Sequence, residues 1–520
     1  MSTREVSRRL RAWEAGHPTP RYDTLHHAVV SEDQAMIVAF VRMAGESRPW
    51  AIRWGTVCDG PTIRSVPDGR IRDDVSLLSA TFAEHLLEHM RVHNWTFDPA
   101  GEDATPEELR QVWFPNNGHI AMLHQLSYTY SQTKFGGDNQ EILRALGRLA
   151  GWMFRDTSRK GNQHVVDASA ALREAYVFPA QDARTAHLGY QLALLTTDGD
   201  RDARFVAAAE AERLTVSPTM DPTTDRDLLD DLVGRWQTAR RAGWEDEQAS
   251  NAIAGILTAE VDRRWRLTES AYRRLAASHR PVNPGVTSLV REAHKEFWGQ
   301  HQRIELRQND PSLGPAFVPH PETDYHGSAA ASRFLIHASA DEAYIGHLIH
   351  DDPELFSEAV DDGHAIQTTV TSVVDFGSGR AKAPVWTVSL DPATRHRLRE
   401  GGRLCPYGSH GHEVSVTSID STDDELLITL EWTTRKTMPL SLGPRLKPLD
   451  PAWVGESVAF VVADAASLTR RRSMRVWKAK DGPGAWLTHG RAPDPVEITE
   501  EGGSVVLIDD VRQIEQGSDA

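Results

Sequence analysis

The chain is poor in the residues that announce a chemistry. Only two of its 520 residues are cysteine, Cys58 and Cys405. That excludes a disulfide framework and a zinc site built on paired C-x-x-C, and it points to a reducing, cytoplasmic setting. Lysine is almost as scarce, and no lysine follows a glycine, so a P-loop nucleotide site is excluded. No G-x-G-x-x-G opens a helix after a strand, no G-x-S-x-G elbow occurs, and no kinase motif set is present. No apolar run approaches the roughly 20 residues that span a bilayer, so no membrane partner is expected. Met1–Ala15 holds four arginines without an apolar stretch and does not read as a secretory signal. Neither a repeat of fixed period nor a low-complexity tract is visible.

What is present is arginine, acid and tryptophan. The formal net charge is −17, with 15 Trp and a hydrophobic fraction of 40% that supplies ample core. Arginine so far in excess of lysine, with abundant Ala and Asp, fits a GC-rich bacterial source. A chain of 520 residues exceeds what one core supports, so several domains are expected.

The period of the pattern divides the chain. Residues 1–110 read as a small α+β unit, with strands at Ala35–Met43 and Pro49–Val57 and a helix over Asp74–Val92. Residues 111–308 have helical spacing almost throughout and read as an all-α bundle. Its helices fall at Ile142–Met153, Val165–Tyr176, Ala186–Leu195, Ala203–Leu214 and, longest, Glu245–Ser278. A Pro-rich linker covers 309–325. Residues 326–520 then switch to period two, with strands at Ile366–Phe376, Ala383–Leu390, Glu413–Ile419, Glu425–Trp432, Gly455–Val462 and Val505–Ile508. Short strands at this spacing predict one or two small barrels of the OB or SH3-like type, so the fold class is α+β multidomain.

Charge gives the first functional lead. Residues 435–480 hold ten basic residues against three acidic ones, a local balance of +7 on an acidic protein. Arg435, Lys436, Arg470, Arg471, Arg472, Arg475, Lys478 and Lys480 would hold phosphates, and Trp477 would stack on a base. A weaker patch lies at Arg395, Arg397, Arg399 and Arg403. The alternative is that these arginines pair with the acidic helical half and glue the domains together. The leading expectation is a non-enzymatic accessory subunit. Its tail would contact DNA or RNA, its helical middle would engage a protein partner, and it would need no cofactor.

A second lead is His85-Leu86-Leu87-Glu88-His89. H-x-x-E-H on a helix puts two imidazoles one turn apart, where both reach one zinc while Glu88 activates water. HLLEHM resembles the zinc-binding core of the inverted-motif (pitrilysin-like) metallopeptidases, a resemblance carried by His85–Met90 alone. It implies a zinc-dependent hydrolase with His85 and His89 as ligands. Glu84 stands where that family has a small residue, Arg91-Val92-His93-Asn94 follows the motif, and only Asp167 lies near the spacing of a third, carboxylate ligand. The stretch Cys405 to His412, with His410 between, lacks a second cysteine pair and reads as a hairpin loop. His320 and His326 flank Pro321–Tyr325, and Asp324, His326 and Ser328 alternate along one strand face and cannot fold back into a triad.

Overall fold

The computed structural model describes residues 3–91, 95–97, 104–106, 109–157, 163–220, 226–283, 286, 348–350, 352–376, 383–408, 412–421, 425–432 and 448–462. Every residue of the apolar strand Ala35–Val41 is buried. A strand apolar on both faces must be covered on both, and this one is. Met36, Val38 and Phe40 pack with Phe82, Leu86, Leu123, Leu146 and Met153 on one side. Ile37, Ala39 and Val41 pack with Leu172, Leu257, Trp265 and Tyr272 on the other.

That strand is the centre of a five-stranded mixed sheet. The order is Thr62–Ser65, Ala51–Thr56, Ala35–Val41, Gln111–Phe114, Val165–Asp167. The first three strands run antiparallel, and the last three are mutually parallel. The sheet therefore crosses the boundary expected near residue 110. Helices Arg72–His89, Asn117–Tyr130 and Gln140–Asp156 cover one face. Helix Glu247–Ala276 crosses the other, bonding the strand backbone through Trp265 Nε1, which donates to Ile37 O. Part of the bundle read in the sequence is thus the outer layers of an α/β sandwich. The cause is strand length: Gln111–Phe114 and Val165–Asp167 have four and three residues, too few to show a period of two. The helix expected over Val165–Tyr176 begins three residues later, at Ala168, because Asp167 ends the strand and caps the helix by accepting from Ala170 N.

The C-terminal strands close into one six-stranded antiparallel barrel. Around it run Ala365–Phe376, Ala383–Leu390, Leu426–Trp432, Val414–Ser421, Arg403–Pro406 and Ser457–Val461. The order is a Greek key. Bulges at Val370/Ser372 and Val416/Ser418 bend the two long strands into closure. Strand Arg403–Pro406 had no period-two signature of its own and was not expected. The interior is filled, with Trp386 tilted against Trp432 at 4.7 Å and Trp453 at 5.1 Å between ring centroids. Among the described residues, no helix is long and apolar enough to cross a membrane.

Candidate functional site

In open α/β sheets the carboxyl ends of the parallel strands form the usual ligand crevice. Here residues 214–220 fill it with backbone. Arg42 N donates to Pro218 O and Met220 N to Arg42 O, while Asn116 Nδ2 donates to Val216 O. His119, wholly buried, accepts from Phe40 N on Nδ1 and donates from Nε2 to Val216 O. Burial, with Arg264 nearby, lowers it to about 3, so the ring is neutral and structural.

The H-x-x-E-H helix is present as Arg72–His89, but its two imidazoles have different duties. His89 is buried, and its Nε2 donates to Gln111 O at 3.1 Å. Burial lowers it to about 4. His85 is exposed, donates from Nδ1 to Thr81 O and packs edge-on against Trp54. Glu88 lies at 4.0 Å from Arg91 in solvent. Asp167 sits at the carboxyl end of its strand, whereas His89 bonds to the first residue of the neighbouring parallel strand. Zinc binding here would require His89 to leave Gln111. Among the described residues, no three His, Cys, Asp or Glu side chains gather as a metal site. Protein dialysed against zinc and then buffer is expected to retain well under one equivalent; stoichiometric zinc lost in His89→Ala would reverse that expectation. Cys405 is a buried barrel-strand residue, and His410 lies outside the described residues.

Arg435, Lys436, Arg470, Arg471, Arg472, Arg475, Trp477, Lys478 and Lys480 also lie outside the described residues, as does Val505–Ile508. The weaker patch is described. Between strands Ala383–Leu390 and Arg403–Pro406 the chain runs over the barrel rim with Leu398 turned into the core. Alternation about Leu398 leaves Arg395, Arg397 and Arg399 exposed. The rim is pinned from both ends. Arg397 N donates to Gly363 O, and Gly402 N to Arg399 O. Gly363 has φ +76°, and a Cβ there would come within 3.2 Å of His396 Cα, so only glycine fits without strain. Burial, then the charges of Arg397 and Arg395, hold His364 below its ordinary value, opposed by Asp362. Among the described residues no carboxylate pairs with Arg395, Arg397 or Arg399, whereas Arg403 pairs with Glu413 at 3.1 Å.

Acids of the helix that leads into the barrel are engaged with arginines of the N-terminal helix. Helix Pro353–Asp361 leads into the barrel, and its carboxylates face the N-terminal helix Thr3–Ala15. Arg4 meets Asp361 at 2.6 Å, and Arg8, almost buried, meets Glu354 and Glu358. Thr24 Oγ1 donates to Asp352 at 3.0 Å. The interdomain glue foreseen for the tail arginines is thus supplied, in the described part, by Arg4 and Arg8. The sequence signal for it was the arginine-rich N-terminus facing an acidic helix 350 residues away, a pairing no local pattern reveals.

Among the described residues, hydroxyl pairs line part of the barrel's outer face. Ser372 Oγ meets Thr387 Oγ1 and Ser418 Oγ meets Thr429 Oγ1 across strands, while Trp386, Trp432, Trp453 and Phe460 all point inward. The chain matches no known family model, no curated protein and no solved structure.

Proposed function

We propose that the protein is a non-enzymatic accessory subunit whose barrel binds the phosphate backbone of nucleic acid and whose helical layers engage a protein partner. The observation that carries the reading is the trio Arg395, Arg397 and Arg399, exposed on a pinned rim with no carboxylate partner among the described residues. Unneutralised guanidinium groups on one ridge of an acidic protein form a local polyanion site. The Arg470–Lys480 cluster, with Trp477 as the stacking residue, would extend it along the chain. With Trp386, Trp432, Trp453 and Phe460 turned inward, contact at the described rim is to phosphate, and base sequence has little influence. The partner reading draws on Leu77, Tyr128 and Trp244, large side chains left more than half exposed on or beside the helices.

The test is binding of the full chain to single- and double-stranded oligonucleotides across a salt series. Binding should weaken steeply with salt. Substituting Arg395, Arg397 and Arg399 with Ala should lower the log–log salt slope by roughly 2 to 3, and Arg470→Ala, Arg471→Ala and Arg472→Ala should do the same independently. No binding at low salt, or triple variants that bind like wild type, would overturn the assignment.

A further inference from the structure

On the face of the molecule formed by the N-terminal segment lies a hollow of about 360 Å³, lined by Arg21, Tyr22, His26, Ala170, Arg173 and Glu174. Its volume is at the lower end of the range that small-molecule sites occupy. The walls are held by backbone. Pro20 pairs with Tyr176 in a short antiparallel ladder, Arg21 N donates to Ala175 O, and Arg280 donates to both Tyr22 O and Ala175 O. Helix Ala168–Ala175 presents Ala170, Arg173 and Glu174, at i, i+3 and i+4, on one side.

The wall holds two guanidinium groups and one carboxylate, Glu174, and the charge of Arg173 also acts on nearby Asp167. Arg21 Nε donates to the backbone carbonyl of Arg173, which brings two guanidinium groups to the same wall. Arg21 is neutralised by Glu5 at 2.6 Å. Arg173 is exposed, and its Nε donates to the Ser169 carbonyl at 3.4 Å; among the described residues no carboxylate lies within ion-pair distance of it. Glu174, the acid on the wall, is met by His27 at 3.8 Å. Tyr22 forms the floor, its ring stacked on His26 at 4.5 Å and under the Arg8 guanidinium at 4.6 Å. Burial, together with Glu358, raises Tyr22 to about 12, so its hydroxyl is a donor at neutral pH.

A concavity lined by one guanidinium that no carboxylate meets at ion-pair distance among the described residues, a second beside it and a tyrosine donor is complementary to a compact anion. We infer that this hollow binds a small ligand through a phosphate or carboxylate group, held by Arg173 and Arg21 with Tyr22 donating its hydroxyl. The site is separate from the barrel rim, so its fate does not depend on nucleic-acid binding.

The experiment is thermal denaturation and titration calorimetry of the full chain with inorganic phosphate, succinate and, at equal ionic strength, sodium chloride. Phosphate or succinate should raise Tm saturably above the chloride reference, and whichever does so names the group recognised. Arg173→Gln, at an exposed position, should fold normally, leave oligonucleotide binding unchanged and weaken that anion at least tenfold; Tyr22→Phe should weaken it several-fold. Equal Tm in all three salts, or an undiminished anion effect in Arg173→Gln, would overturn the site.

Discussion

Lowering the pH from 6.5 to 4.5 is expected to cost the sheet-containing body about 5 kcal/mol through two histidines alone. His89 and His119 are buried as neutral rings, each donating from Nε2 to a backbone carbonyl, Gln111 O and Val216 O. Burial sets His89 at about 4 and His119 at about 3, against about 6.5 in the unfolded chain. The folded values are depressed, so the unfolded chain takes up protons first as the pH falls. Stability is therefore complete above pH 6.5 and declines as the pH drops toward the folded values. Each histidine contributes a slope of about 1.4 kcal/mol per pH unit over that window, so the pair removes about 5 kcal/mol over two units. The measurement is urea unfolding at half-unit steps, followed by tryptophan emission. Gln keeps a donor and an acceptor without titrating. His89→Gln with His119→Gln should therefore flatten the profile markedly, whatever its stability at pH 7. An unchanged slope in that double variant would mean the two rings are not the acid-labile elements.

Arg264→Ala is expected to destabilise the same body by about 3–5 kcal/mol, the range for removing one partner of a buried charged network. Arg264 is 0% exposed although it sits on a helix with solvent on its far side. Its Nε donates to Ser217 O at 2.7 Å, and Nη1 donates to Glu260 O and to Glu260 Oε2 at 2.6 Å. It thus ties helix Glu247–Ala276 to the segment that closes the carboxyl edge of the sheet. Burial would raise the Glu260 carboxyl, yet hydrogen bonds and charge from Arg263 and Arg264 hold it below its ordinary value. The alanine variant leaves the Ser217 carbonyl without that donor and Glu260 with Arg263 alone. Arg264→Lys should recover only part of the loss, since an ammonium cannot reproduce the planar fork. A loss below about 1 kcal/mol for Arg264→Ala would show that solvent takes over these bonds. Because Arg264 also helps to depress His119, the alanine variant should soften the acid transition, which links the two measurements.

His119 and Arg264 in these predictions belong to the closure of a crevice that an α/β sheet would ordinarily offer to a ligand, whereas His89 sits at the opposite end of the strands. Residues 214–220, His119, Asn116 and Arg264 fill it with satisfied hydrogen bonds. The sites proposed above lie elsewhere, on the barrel rim and in the Arg21–Arg173 hollow. Among the described residues Arg395, Arg397, Arg399 and Arg173 have no carboxylate at ion-pair distance, whereas Arg21 pairs with Glu5, and Arg4 and Arg8 join the N-terminal helix to Pro353–Asp361.

Periodicity alone determined the long elements. Ala35–Val41, the helices Arg72–His89, Gln140–Asp156 and Glu247–Ala276, and five of the six barrel strands were legible because an apolar repeat over seven or more residues, or a short apolar run between turn residues, selects one local geometry. Composition likewise excluded a P-loop and a disulfide scaffold. Tertiary structure decided the rest. Strands of three and four residues carry no period, so only pairing of Gln111–Phe114 with Ala35–Val41, and of Val165–Asp167 with Gln111–Phe114, adds them to the sheet. Closure of the barrel depends on Ala365–Phe376 meeting Ser457–Val461, some 90 residues apart, and on an unheralded strand at Arg403–Pro406. The meaning of each charged residue was likewise settled by its neighbours. His85 and His89 share a motif but not a surface, and Arg8 is buried against two acids while Arg397 faces solvent. A side chain's chemistry is written in the sequence, but its desolvation and its partners come from segments far along the chain, and these set whether it binds, caps or packs.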